Sequence, residues 1–315
     1  MIVAQASVRL DTSRMSFSSF LRLALAAVVA CAQVSVALAA SGRLTIESGG
    51  VKRTAYVVEH ARLKRTLRPT IIVLHGRNGG ALWARRDLGL DEALRSRSVV
   101  SVYPDAIDGR WNVSEPGGDR DLKFIDDLVA KLIADGISDR HRVFIVGSDV
   151  GGILAMRLGC RDARAYAGIA ALIALMPATD AASCKPARPI PFLLLAGTAD
   201  PRAPFSGGKA DLAEFKDEMV SADATIAPFA QAAGCSGGRN VAEARDRDKN
   251  DGSRVQIEVL QGCKAPVELV KVDGGGHTLP GRPRAGDRGQ PVGARNNDVN
   301  TTQIVLDFFR RAGGA

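Results

Sequence analysis

The sequence predicts an α/β fold, a mostly parallel twisted sheet with helices on both faces. Three observations carry this. Short continuous apolar runs recur along the chain, segments of helical period stand between them, and several of the runs end in glycine-rich turns. Residues 43–48 and 53–60, joined by Gly49-Gly50, read as an antiparallel hairpin at the sheet edge. Residues 69–76 (PTIIVLHG), 97–104, 142–147 (RVFIVG), 166–177, 190–197 and 266–274 read as strands buried on both faces. The 121–135 segment predicts a helix. Phe124, Leu128 and Leu132 form its apolar stripe with Ile125 and Val129, and Asp126, Asp127 and Lys131 face out. Helices are also expected from 151 to 160, within 207–234 and over 301–312, the last burying Ile304, Val305, Phe308 and Phe309. Residues 238–262 predict a hairpin turning at Asp251-Gly252.

The N-terminus reads differently. Arg9, Arg14 and Arg22 precede an apolar run, 23–38, that ends in Ala37-Leu38-Ala39. That is the pattern of a signal peptide over residues 1–39, too short for a spanning helix. Met15 is an alternative start, and a lipid anchor at Cys31 an alternative fate. One domain is expected over 40–315, secreted or periplasmic, with no membrane contact after cleavage. Without residues 1–39 the chain keeps a modest basic excess. Aromatic content of 5% and mixed-sign runs such as RDRDKND argue against nucleic-acid binding. Cys160, Cys184, Cys235 and Cys263 remain after cleavage, an even number in an oxidising compartment. The sequence allows three pairings. Pairing neighbours gives Cys160–Cys184 and Cys235–Cys263, each worth about 3 kcal/mol if unstrained. No C-x-x-C or H-x-x-x-H spacing supports zinc, and the reading calls for no metal and no cofactor. Oligomeric state is left open.

In sheets of this kind ligands bind at the carboxyl ends of the strands. The run 142–147 leads into Gly147-Ser148-Asp149-Val150-Gly151, the frame of a strained strand-to-helix turn that usually carries a nucleophilic serine. Asp149 stands in the nucleophile's place. Ser148 would need glycines where Val146 and Val150 stand, so it reads as structural. The LHGRNGG segment, 74–80, offers backbone N–H groups to a substrate oxygen. The expected oxyanion donors are the amides of Val150, Arg77 and Gly76, and His75 reads as a structural histidine. Asp200, after the run 190–197, and His277, in the glycine-rich loop after 266–274, complete the chain order nucleophile, acid, histidine.

These segments, with YPDAIDGRWN, GTADPRAPFSGG, GCSGG and GGGHTLPG, resemble the secreted polyhydroxybutyrate depolymerase and feruloyl esterase-like α/β hydrolases over nearly all of residues 40–315. The resemblance implies the α/β-hydrolase fold, an ester substrate, Asp200 and His277 as triad acid and base, and the neighbour pairing of the cysteines. Two residues depart from it. Asp149 replaces serine, and Leu279 stands where tryptophan is common. Trp111 and Leu279 are expected to line the pocket.

Asp149 alters the chemistry. A serine must lose its proton to histidine before it attacks, whereas a carboxylate is already ionised at neutral pH. Attack on an ester would form a mixed anhydride, and the carboxylate leaves that adduct more readily than an alkoxide does. Attack at a saturated carbon has no such reversal. Three readings follow: an exported ester hydrolase with weak or altered activity, a hydrolase of epoxides or alkyl halides with Asp149 as nucleophile, and a non-catalytic ligand-binding pseudo-hydrolase.

Overall fold

In the computed structural model, strands and helices alternate as the apolar runs require. It describes residues 41–60, 67–113, 119–161, 165–210, 218–282 and 292–313. The expected signal segment lies outside them. The strands are β1 (Ser41–Ser48), β2 (Val51–Glu59), β3 (Arg68–Leu74), β4 (Val100–Pro104), β5 (Ser138–Ser148), β6 (Gly168–Leu172), β7 (Phe192–Gly197), β8 (Gly208–Lys209), β9 (Glu218–Met219), β10 (Arg239–Arg245), β11 (Arg254–Leu260) and β12 (Val267–Asp273). The helices are α1 (Ala81–Leu88), α2 (Leu90–Leu94), α3 (Arg120–Ala134), α4 (Val150–Arg161), α5 (Ala178–Ser183), α6 (Ala222–Ala232) and α7 (Thr301–Arg311).

Ten strands form one sheet in the order β1-β2-β4-β3-β5-β6-β7-β12-β11-β10. Its centre, from β4 through β12, is parallel, and the β1–β2 and β10–β11 hairpins close its edges. The central strands are apolar throughout because they are buried on both sides. In β3, Ile72 and Leu74 pack with α3, α4 and α6, while Ile71 and Val73 pack with α1, α2 and α7. These elements belong to one compact unit, Ala39–Ala315. Among the described residues no helix is long and apolar enough to cross a membrane.

Several elements differ from the sequence expectation. The apolar run 166–177 yields only β6, because Ile173 adopts φ 46° immediately after Leu172 and ends the strand. Among the described residues of 207–234 the helix is α6, capped by Ser221, whose side chain accepts from the Ala224 amide. The helix α1 was not expected. Disulfides join Cys160 to Cys184 and Cys235 to Cys263. The first ties α4 to the end of α5, and the second ties the segment after α6 to the turn after β11.

Candidate active site

The β5–α4 turn is as sharp as the glycine frame demands. A Cβ on Gly147 would lie 2.0 Å from the Gly151 carbonyl oxygen, and one on Gly151 would lie 2.5 Å from the carbonyl oxygens of Leu74 and His75. Neither position tolerates a side chain. Asp149 takes φ 54°, a left-handed conformation that costs a non-glycine residue roughly 1 kcal/mol. Its amide donates to Leu172 O at 3.0 Å, and its carbonyl accepts from Gly152 N at 2.8 Å. The side chain is thereby aimed over the carboxyl end of the sheet. Val150 follows as the first residue of α4, where backbone N–H groups have no intrahelical partner.

Two further loops meet this turn. After β7, Asp200 accepts hydrogen bonds at Oδ1 from the amides of Arg202 and Ala203, at 2.8 and 2.9 Å. Its Oδ2 lies 2.8 Å from His277 Nδ1. The two loops are stitched together by Ala199 N to Gly275 O at 2.9 Å and by Gly274 N to Thr198 Oγ1 at 2.8 Å. His277 Nε2 faces Asp149 Oδ1 at 3.8 Å, is buried, and has no hydrogen-bond partner among the described residues. Asp149, Asp200 and His277, from three strand ends, therefore converge in one cluster, with the imidazole between two carboxylates.

The other oxygen of Asp149 completes the geometry. Oδ2 accepts from the backbone N–H of Arg77 at 3.1 Å. Arg77 was expected to bind a substrate oxygen. Its amide is instead engaged by the chain's own carboxylate. Gly76 abuts the same side chain, and a Cβ there would come within 3.2 Å of Asp149 Cβ.

The two expected pocket residues take these positions. Trp111 is buried, and its indole N–H donates to the His75 carbonyl at 2.8 Å. Leu279 lines a crevice with Ser148, Asp87 and Leu88 beside β3 and β5. Burial there pushes the Asp87 carboxyl above the usual carboxylate range. Ser148 lines this crevice and Asp149 does not. No group of three or more metal-ligating side chains occurs among the described residues.

A parallel sheet flanked by helices, with a carboxylate after β5, a second carboxylate after β7 and a histidine after β12, defines an α/β hydrolase. The chain belongs to the esterase family within this class. It is 30% identical over 262 residues to the candidate esterase NocK of Nocardia uniformis subsp. tsuyamanensis, covering 77% of this chain and 74% of that one. It is 26% identical over 220 residues to feruloyl esterase B of Piromyces equi, covering 66% of this chain and 39% of that one. Among solved structures, acetyl xylan esterase from Aspergillus awamori shares the fold with a TM-score of 0.54 and 12% identity, over 78% of this chain and 97% of that one. No family model matches the chain.

Proposed function

We propose that the chain is an exported hydrolase of carboxylic esters, of polyhydroxyalkanoate or feruloyl type, whose turnover is held low by Asp149. The likeness to NocK and to feruloyl esterase B supports the ester, and the apolar run before Ala39 supports export. The observation that carries the reading is the double placement of one carboxylate, Oδ1 before His277 Nε2 and Oδ2 on the Arg77 amide. The first position is that of a serine hydroxyl, the second that of a substrate oxyanion. His277, oriented by Asp200, takes a proton from water as the water attacks the acyl carbon, and returns it to the alcohol oxygen as the tetrahedral adduct collapses and the ester C–O bond breaks. The developing oxyanion then competes with Asp149 Oδ2 for the Arg77 N–H. Loss of one such donor costs on the order of 10²–10³-fold in rate.

Replacing Asp149 with serine removes the competing oxygen and restores a nucleophile. The expected result is a rise of at least ~10²-fold in kcat/KM on p-nitrophenyl esters and methyl ferulate. Turnover confined to the Asp149→Ser variant favours the ligand-binding reading. Native turnover in the ordinary range of roughly 1–10³ s⁻¹, abolished by Asp149→Ser, overturns the proposal.

The same hydrogen bond favours a second reading, attack by Asp149 at an alkyl carbon. Oδ1 would bond to the carbon as the leaving group departs with its electron pair, giving an alkyl ester of Asp149. Water deprotonated by His277 would attack Cγ, the charge would form on Oδ2 against the Arg77 N–H, and the alcohol would leave. A single turnover in heavy-oxygen water places label in the peptide carrying Asp149 if this route operates, and leaves it unlabelled if it does not.

A further inference from the structure

The Arg77 amide matters in both readings, and its peptide is held at the Gly76 carbonyl from two sides, by Gly79 N, which donates to Gly76 O at 3.2 Å, and by a buried assembly outside the triad. A trans peptide points its C=O and N–H in opposite directions. The Gly76 carbonyl and the Arg77 N–H belong to one peptide plane, so whatever pins the carbonyl also aims the amide. His75 Nδ1 lies 2.7 Å from Gly76 O. On the other side of the ring, Ala106 N donates to His75 Nε2 at 3.1 Å. A ring nitrogen that accepts carries no proton, so the neutral ring bears its proton on Nδ1 and donates it to Gly76 O. Burial lowers the His75 pKa and keeps the ring neutral.

The segment after β4 closes on this loop at further points. The Trp111 indole donates to the His75 carbonyl and packs against the imidazole with ring centroids 4.6 Å apart and planes tilted by 30°. Asp105 Oδ1 accepts from Ala81 N at 2.8 Å, capping α1 from a distance. Gly109 abuts the Gly79 carbonyl, where a Cβ would come within 3.0 Å. The segment is itself anchored. Thr54 Oγ1 donates to Asp105 Oδ2 at 2.9 Å, and Asn112 N donates to Asp121 Oδ2 at 2.5 Å. Asp121 is fully buried and pairs with buried Arg53 at 2.7 Å.

We infer that His75 and Trp111 are positioning residues: together they hold the Gly76–Arg77 peptide with its N–H turned toward Asp149, and so build the oxyanion donor. This rests on the proposed function only for its catalytic consequence, since the orientation of the peptide is a property of the native chain. Two measurements separate the parts. Hydrogen exchange at the Arg77 amide reads orientation in the native protein and in His75→Ala, His75→Asn and Trp111→Phe. Asparagine keeps a donor near Nδ1, and phenylalanine keeps the ring but loses its N–H. Exchange is expected to accelerate at least ~10-fold in His75→Ala and Trp111→Phe, with His75→Asn closer to native and the β5 amides unchanged. In an Asp149→Ser background, His75→Ala should lower kcat about 10²-fold with little change in KM, and His75→Asn should recover much of it. Unchanged Arg77 exchange in folded Trp111→Phe overturns the inference even if His75→Ala fails to fold. Equal losses in His75→Ala and His75→Asn overturn it as well. An inactive Asp149→Ser protein counts against the proposed function alone, and the exchange data still decide the inference.

Discussion

Asp200 and Asp149 both face the His277 imidazole, and the chain holds them in opposite ways. Asp200 accepts from two backbone amides and from His277 Nδ1, and its side chain is 1% exposed. Asp149 accepts one backbone hydrogen bond, leaves Oδ1 at 3.8 Å from His277 Nε2, and is 11% exposed. A carboxylate whose acceptor sites are filled inside the protein serves as a fixed orienter. One with an oxygen left over beside an unpartnered imidazole nitrogen is available for chemistry. Residue type does not distinguish them. The number of donors the fold supplies does.

The largest expected effect comes from breaking the filled member. In Asp200→Asn the amide oxygen takes the Arg202 and Ala203 N–H bonds, and the NH₂ group turns toward His277 Nδ1. Nδ1 must then accept, the proton moves to Nε2, and the ring loses its capacity as a base. Activity of the Asp149→Ser form should fall about 10³–10⁴-fold in kcat. A loss below about 10-fold would mean that Asp200 does not set the tautomer.

A second effect compares the site with the scaffold that holds it. Burial lowers the pKa of His75 and of His60, whose Nε2 lies 2.8 Å from Ser101 Oγ. Each histidine binds a proton more readily unfolded than folded. Their contribution is full above the unfolded value of roughly 6.5 and is lost as pH falls through the lower folded values. Thermal stability should therefore fall from pH 7 toward pH 5. The slope should shrink in His60→Gln. A flat profile over this interval would place both rings in contact with water.

Much of this arrangement is legible in the sequence because it is local. Asp200 and His277 each follow an apolar run, and Asp251-Gly252 turns the β10–β11 hairpin where the spacing predicts. What escapes reading depends on distant contacts. The helix α1 has Gly80 at its N-cap with no local side-chain cap, and its first amide is satisfied by Asp105 from another loop. The apolar run 166–177 carries no mark of the turn at Ile173, since hydrophobicity does not report φ. Trp111 reads as a candidate pocket aromatic, and its partner is a backbone carbonyl 36 residues away. The occupation of the Arg77 amide by Asp149 follows only from three-dimensional placement.

The smallest expected effect tests the other member of the pair. Asp149→Asn keeps the shape, and asparagine is well suited to the left-handed backbone that the turn imposes. Its oxygen can still accept from Arg77, while its NH₂ can donate toward His277 Nε2, where the native carboxylate offers only an acceptor. Unfolding free energy should change by less than about 0.5 kcal/mol, a melting shift within about 2 °C. Asp200→Asn should shift it further, because it rearranges a fully satisfied buried group. A drop of more than about 5 °C in Asp149→Asn would identify the Asp149 charge as a structural element of the fold. The two carboxylates would then differ in exposure alone, and the low turnover assigned to Asp149 would need another origin.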